Sequence, residues 1–444
     1  MSLYSEYFYS KTINELFSDK QTIAQMLRFE GALAVAQAEN GIISTQAAQI
    51  IQNCCQVDII DIDTLKSEIK LCGNAAIPLV KQLTRIVKNN DVEASKYVHL
   101  GATSQDVVDT ATVLQMQEYW YWLNDKLTEL SNLLVEITKK HRNTLMIGRT
   151  LLQQARPITF GLKTSGWLQS IERSKERMKS TQKRVLVIQL GGAVGSGNAN
   201  LSISVQKSFV DFLDLMPSFS WQSNRDNLVE AASVFGILNQ SLGKIAKDIS
   251  LMMQTEVAEV FEGAGEGKGG SSTMPHKRNP VTCAAILANA NRIPNLVATL
   301  LASMLQEHER SAGLWHSEWE VLTEIMLLTA GSIEKSIELV ASLEVDEKRM
   351  LQNLELTKGL IYAENISLAL ATKIGKINAH ELVEKACKLA VFQQKHLKEV
   401  LEEMNVDLPN LEELFKAENS IGNSLDIIDE ILLSQSRREL NKIK

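Results

Sequence analysis

The 444-residue chain contains only seven prolines and five cysteines, and it has no apolar run long enough to cross a membrane. Each scarcity excludes something. Proline interrupts helices, because it lacks an N–H and clashes with the preceding turn, so its scarcity leaves room for long unbroken helices. Cys54, Cys55, Cys72, Cys283 and Cys387 show neither metal-ligand spacing nor a paired framework. That pattern points to reduced thiols in a cytoplasmic protein rather than a zinc module or a disulfide scaffold. No basic, apolar leader opens the chain. Positive charge is not in surplus either: 46 Lys and Arg against 53 Asp and Glu leave a formal net charge of −7. Nucleic acid is therefore not an expected partner, and any anion must be held by local cationic pockets. Strand alternation is nearly absent, with at most a short ribbon near Ser202–Val205.

What the chain does have is helical periodicity. Trp120, Leu123, Leu127, Leu130, Leu134 and Ile137 recur at alternating spacings of three and four within a stretch from about Asp106 to His141. At 1.5 Å per residue that stretch predicts a helix of roughly 50 Å. Val234, Leu238, Leu242, Ile245 and Ile249 repeat the pattern, and another long stretch runs from Pro280 to Gln306, where Pro294 predicts a kink. Helices this long carry more apolar face than one bundle layer covers, so partner subunits are expected. Loop chemistry at Leu100–Gln105, Arg149–Pro157, Leu190–Asn200 and Gly263–Asn279 punctuates the pattern. The expected division is an N-terminal helical domain over 1–105, a central long-helix domain over 106–350 and a C-terminal helical domain over 351–444.

Residues 262–280, EGAGEGKGGSSTMPHKRNP, carry the clearest chemistry. Five glycines between Gly263 and Gly270 lead into Ser271 and Ser272, then His276, Lys277 and Arg278, closed by Asn279 and Pro280. Glycine-rich backbone can approach an anion closely, and hydroxyls beside fixed positive charge can hold a carboxylate and move a proton next to it. A phosphate loop is excluded because Gly269 follows Lys268 where Ser or Thr is required. Gly265-x-Gly267-x-x-Gly270 fits a dinucleotide fingerprint formally, but that motif must follow a strand, and 254–262 reads as helix. An active-site lid is the expected role.

Three segments resemble the fumarase/aspartase superfamily: His99-Leu-Gly-Ala-Thr-Ser-Gln-Asp106, Gly148-Arg-Thr-Leu-Leu-Gln-Gln-Ala-Arg-Pro157 and Gly270-Ser-Ser-Thr-Met-Pro-His-Lys-Arg-Asn-Pro280. The resemblance implies an all-α, three-domain fold, a homotetramer around a twenty-helix core, and active sites that each draw on three subunits. It implies no metal and no organic cofactor. Gly73-Asn-Ala-Ala-Ile-Pro78, Leu190-Gly-Gly-Ala-Val-Gly-Ser196 and Glu307-His-Glu-Arg-Ser311 bring the chain nearest to the bacterial carboxymuconate cycloisomerase branch. The adenylosuccinate lyase branch usually shows a His-Asp pair where this chain has Cys72-Gly-Asn-Ala. The implied activity is interconversion of 3-carboxy-cis,cis-muconate and its carboxymuconolactone in aromatic-acid breakdown. The alternatives are a fumarate-forming lyase of the same superfamily, or a non-catalytic homologue.

Carried over position by position, the resemblance makes Ser271 the general base, with its pKa lowered by Lys277 and backbone amides. Lys277 and Asn279 would hold one substrate carboxylate, with Ser272 beside them. Thr103 and Ser104 would hold another, as would Thr150 and Gln153, with Arg149 next in the motif. Arg310 would arrive from a further subunit. His99 would line the site or serve structure. His141, His316 and His396 read as surface or interface histidines, His380 as structural, and Trp315 and Trp319 as core.

One position departs from the pattern. The superfamily's Thr-His-x-Gln stands here as Thr150-Leu151-Leu152-Gln153, and leucine cannot protonate a leaving group. Expelling an amine or hydroxide without an acid costs about 10²–10⁴-fold. A carboxylate, whose conjugate acid has a pKa of roughly 4, leaves and attacks as the free anion. Loss of the histidine therefore fits intramolecular carboxylate addition.

Overall fold

The computed structural model describes residues 3–265, 269–270, 274, 276–408 and 410–443, with side chains described to residue 437. The fold is all-α. Six helices exceed twenty residues among the described residues: α1 (Asp19–Glu39), α2 (Ser104–Lys140), α3 (Phe160–Val185), α4 (Asp226–Met252), α5 (Val281–Ser303) and α6 (Leu314–Ala341). The periodic stripes become the cores of these helices. Trp120, Leu123, Leu127, Leu130, Leu134 and Ile137 are each at most 9% exposed in α2, and Val234, Leu238, Leu242, Ile245 and Ile249 at most 6% in α4. Pro294 sits inside α5, which continues to Ser303.

The residues cluster into two compact units, each assembled from three chain segments. The first comprises Met1–Thr128, Arg173–Gly243 and Ala285–Lys335. Its interior holds an aromatic group in which Phe235 of α4 meets Tyr119 edge-on at 5.2 Å and Trp120 at 5.4 Å. The second comprises Glu129–Glu172, Lys244–Ala284 and Ser336–Lys444. Here Ile147 packs with Leu354, Ile361, Ile366, Leu370, Val383, Leu397 and Leu401, so the last hundred residues gather their own apolar core against a hairpin.

Strand structure lies elsewhere than the sequence pattern suggests. The ribbon expected at Ser202–Val205 is the start of a helix: the Ser202 hydroxyl accepts the Val205 N–H at 3.4 Å and caps Ile203–Leu213. The hairpin is instead β1 (Leu145–Thr150) with β2 (Gln153–Thr159), antiparallel, with an irregularity between Ile147 and Arg149. The helical reading of 254–262 is also corrected. α4 ends at Met252, and Val260–Phe261 form β3, paired with β4 (Glu344–Val345). Arg349 holds the intervening turn by donating to the carbonyls of Glu256 at 2.8 Å and Val257 at 3.1 Å, so tertiary contacts override local helix propensity. His141, expected at a surface or interface, is 2% exposed within the chain itself and bonds Thr144 at 3.1 Å. Its ring lies 5.4 Å from Phe160.

The largest fully buried side chain is Arg225, 1% exposed at the start of α4. It donates to both oxygens of Asp109 at 2.6 and 2.9 Å and to Glu318 at 2.6–3.1 Å. Trp315 Nε1 adds a bond to Asp109 at 3.0 Å, which makes that tryptophan part of the core network. Replacing Arg225 with leucine strands two buried carboxylates. Arg225→Leu is expected to lower unfolding stability by about 3–5 kcal/mol, read from the urea midpoint. A loss below 1 kcal/mol would show that the triad is not held as described.

Candidate active site

In the first unit, the loop His99–Thr103 feeds directly into α2. Asp106, in the first helical turn and fully buried, reaches back to the Thr103 N–H at 3.0 Å in the manner of a capping box. The same carboxylate accepts the Gln189 side-chain amide at 3.0 Å and the backbone N–H groups of Gly191 and Gly192 at 2.8 and 2.9 Å. Burial pushes the Asp106 carboxyl up from its ordinary value, and these donors pull it back. One buried carboxylate thus clamps the start of α2 to the loop 190–192. A side chain at Gly101, where φ is +80°, would come within 2.7 Å of Asn198, whose amide donates to the Gly101 carbonyl at 2.8 Å. Only glycine allows that approach.

Arg310 meets this loop. Its guanidinium donates to Thr103 Oγ1 at 2.8 Å, Gln105 Oε1 at 3.1 Å and the Ala193 carbonyl at 3.4 Å. The resemblance brings Arg310 from a further subunit; in this chain it contacts Thr103 of its own subunit. It has no carboxylate partner among the described residues, so its positive charge is positioned by neutral acceptors and stays available to an anion. Gln105 also donates to Asp109 at 3.2 Å, which ties Arg310 to the buried Arg225 triad. Ser104 is the first residue of α2, and the N-terminus of a helix favours a negative group. His99 bonds the buried Glu30 through Nδ1 at 2.7 Å. A recess of about 390 Å³ lies beside this loop, lined among others by Gly195, Ser196, Asn198, Ser202 and Phe219.

The second unit carries the other two motifs. Thr150 and Gln153 are opposite partners at the end of the hairpin, and Leu151 and Leu152 form its two-residue turn. Both leucines have positive φ, +47° and +65°, and they are 96% and 81% exposed. A two-residue hairpin with positive φ at both positions is normally built from Asn and Gly. Leucine there stores strain on the order of 1–2 kcal/mol per residue and projects apolar surface outward. Arg149 is not free: both of its terminal nitrogens are taken by the fully buried Glu259 at 2.7 and 2.8 Å. Asn353 donates to the same carboxylate at 2.8 Å. This geometry anchors the hairpin and leaves Thr150 and Gln153, both exposed, as its solvent-facing polar groups.

The glycine-rich segment is fastened at both ends. Glu262, 4% exposed, accepts the N–H groups of Thr282 and Cys283 at 3.0 and 2.8 Å and so caps α5. Arg278 grips Glu344 with two bonds of 2.8 and 2.9 Å and lies over the Phe261 ring. The Asn279 N–H donates to the Gly269 carbonyl at 2.9 Å, where a side chain at Gly269 (φ +65°) would collide with the Asn279 backbone at 2.7 Å. A recess of about 180 Å³ is lined here by Glu262, Gly263, Ala264, Gly265, Gly269, Arg278 and Asn279. Lys277, exposed, donates its backbone N–H to Met274 O, and its ammonium has no partner among the described residues. Ser271 and Ser272 lie outside the described residues.

Sequence reasoning missed the anchoring acids Asp106, Glu259 and Glu262 as fixtures of these segments. Asp106 was legible, because Thr103-x-x-Asp106 is a capping-box spacing. The other two act through long-range pairing that no local spacing reveals.

Comparisons with known proteins show what the chain as a whole is similar to. A family model described as "Lyase" matches residues 5–294, and one described as "Adenylosuccinate lyase C-terminus" matches 359–431. A 3-carboxy-cis,cis-muconate cycloisomerase from Acinetobacter baylyi is 45% identical over 97% of this chain and 98% of its own. One from Pseudomonas aeruginosa is 46% identical over 90% of this chain and 88% of its own. The crystal structure of a 3-carboxy-cis,cis-muconate lactonizing enzyme from Pseudomonas putida superposes with a TM-score of 0.92 at 40% identity, covering 98% of this chain and 99% of that one. The chain belongs to the lyase family and is an enzyme of the fumarase/aspartase superfamily.

If Asp106 holds the loop at 190–192, Asp106→Ala should leave the Gly191 and Gly192 amides without their acceptor. Each buried donor left unpaired costs about 1–3 kcal/mol. Faster hydrogen exchange at these two amides than in wild type is expected; unchanged exchange would refute the clamp.

Proposed function

We propose that the chain interconverts 3-carboxy-cis,cis-muconate and its carboxymuconolactone. The observation that carries this reading is Leu151, an apolar, almost fully exposed side chain at the hairpin tip. At this position, members of the superfamily that expel an amine or hydroxide hold a histidine. A reaction whose nucleophile or leaving group is a carboxylate has no use for that acid. Whole-chain relatives named for the same lactonisation support the choice of substrate.

In the forward direction an oxygen of the substrate's own carboxylate attacks the alkene, and the π electrons move to the neighbouring carbon, next to another carboxylate. The enolate-like charge is stabilised by Lys277 and nearby backbone amides. The proton passes from Ser271 Oγ to that carbon, and solvent restores the hydroxyl. In reverse, the Ser271 alkoxide removes the proton and the ring carboxylate leaves as the free anion. Asn279 and Ser272 assist Lys277 at one substrate carboxylate. Thr103, Ser104, His99 and Arg310 hold a second, and Thr150 and Gln153 orient the third. Arg149 serves through Glu259, by fixing the hairpin, rather than by touching substrate. Complete sites would form in a cytoplasmic homotetramer with a twenty-helix core, each drawing on three subunits with domains divided near residues 105 and 350.

Purified protein should turn over 3-carboxy-cis,cis-muconate, followed by loss of its ultraviolet absorbance, and not adenylosuccinate or argininosuccinate. Turnover of adenylosuccinate alone would replace this reading with a fumarate-forming lyase. Ser271→Ala should lower kcat by about 10²–10⁴-fold with KM little changed. A variant as fast as wild type would remove Ser271 from the proton transfer.

A further inference from the structure

His99 stands out in its own backbone. It has φ +60° in a non-glycine residue, a conformation that costs about 1–3 kcal/mol and collects at functional sites. Its side chain is 19% exposed and meets a carboxylate that is fully buried, with Nδ1 2.7 Å from Glu30 Oε1. Glu30 lies on α1, and its second oxygen is buried without a hydrogen-bond partner. Among the described residues the carboxylate thus has one hydrogen-bond partner, the imidazole. Histidine Nδ1 must carry the hydrogen to bond a carboxylate, which leaves Nε2 for another partner. Nε2 has no partner among the described residues. The backbone that bears the ring is fixed on its other side, where Gln37, also on α1, donates to the carbonyls of Leu100 and Asn200 at 2.8 and 3.1 Å.

We propose that Glu30 is a positioning residue that holds His99 as an imidazolium with Nε2–H presented to a substrate carboxylate, so that His99 and Arg310 form the two cationic jaws of the Thr103 loop. This deepens the functional reading above and rests on it. Glu30 buried at 2.7 Å favours the charged ring, and a pair of this type is strong only where both members are held away from water. Burial lowers the His99 pKa, but Glu30 through charge and hydrogen bond, with Asp106 of α2 adding to it, raises the pKa above its ordinary 6.5. Cys55 also feels the charge of Glu30, and its own burial drives the thiol far up and keeps it neutral. The sign follows. Because the folded pKa is raised, the cationic jaw is present below the raised value and is lost as pH rises past it. Without Glu30, burial is opposed only by the more distant charge of Asp106, and the jaw is lost at lower pH.

Two measurements on the full-length enzyme test this. The first is an NMR titration of the His99 ring in the ligand-free protein, assigned by its disappearance in His99→Gln. The midpoint is expected above 6.5 in wild type and to fall by at least about one unit in Glu30→Gln. The second is KM for 3-carboxy-cis,cis-muconate against pH. It should rise across the same midpoint in wild type, rise about one unit earlier in Glu30→Gln, and lose this inflection in His99→Gln, with KM there about tenfold higher at pH 6. A midpoint at or below 6.5, one unmoved by Glu30→Gln, or a KM inflection that persists in His99→Gln overturns the proposal. Wild-type protein that leaves 3-carboxy-cis,cis-muconate untouched overturns the functional reading instead, and the ring titration then still decides whether Glu30 sets the state of His99.

Discussion

The first unit is organised around a charge imbalance in its interior. Arg225 faces two carboxylates, Asp109 and Glu318, and all three are nearly inaccessible to water. One guanidinium faces two acids there, and burial pushes the Glu318 carboxyl up against the pull of Arg225. Gln105 relays the surplus: its amide nitrogen donates to Asp109 and its oxygen accepts from Arg310. The buried charge is thus balanced in part by a guanidinium at the surface of the unit, and Arg310 is held in place without being neutralised by direct contact. One turn earlier on α2, Asp106 performs the matching task for the backbone by gathering the loop around Thr103 and Gly191. Two carboxylates spaced three residues apart on one helix therefore set both the shape and the charge of the anion-facing loop.

The second unit uses the same device with different residues. Glu259 and Glu262 are buried acids that take up Arg149 and the first amides of α5. Each anchors a segment whose exposed groups belong to the superfamily motifs. The strain visible at Leu151 and Leu152 is affordable because Arg149, one residue before Thr150, is locked at two points. A hairpin with a weaker base would relax those two positive φ angles into a wider turn.

Long helices were legible because their cores repeat at one helical period over five or six positions, a signal that tertiary context reinforces. The superfamily motifs were legible for a related reason: Thr103, Thr150, Gln153, Lys277 and Asn279 lie in contiguous chain segments. The hairpin was not, since Leu151-Leu152 offers none of the Asn or Gly that usually marks a two-residue turn. The two-residue strand Val260–Phe261 was not legible either, because its pairing with Glu344–Val345 spans more than eighty residues. Pairings such as His99 with Glu30, or Arg310 with Thr103, are likewise products of the fold. They carry no local spacing, and each separates an available cation from one that is already consumed.

That separation bears on how a chain of net charge −7 can grip a substrate with several carboxylates. Long-range attraction does not favour such a ligand, so binding must come from short-range, directional donors in places where water is scarce. Most cations of this chain described in ion pairs are already matched, including Arg149, Arg225 and Arg278. Among the described residues Arg310 and Lys277 are not matched by a carboxylate; Arg310 bonds Thr103 of the first motif, and Lys277 lies in the glycine-rich one. A third cation, His99, depends on a buried glutamate for its charge. Within the first unit the guanidinium of Arg310 is held by neutral acceptors, so an anion gains there through directional contacts at close range rather than through the field of the whole chain.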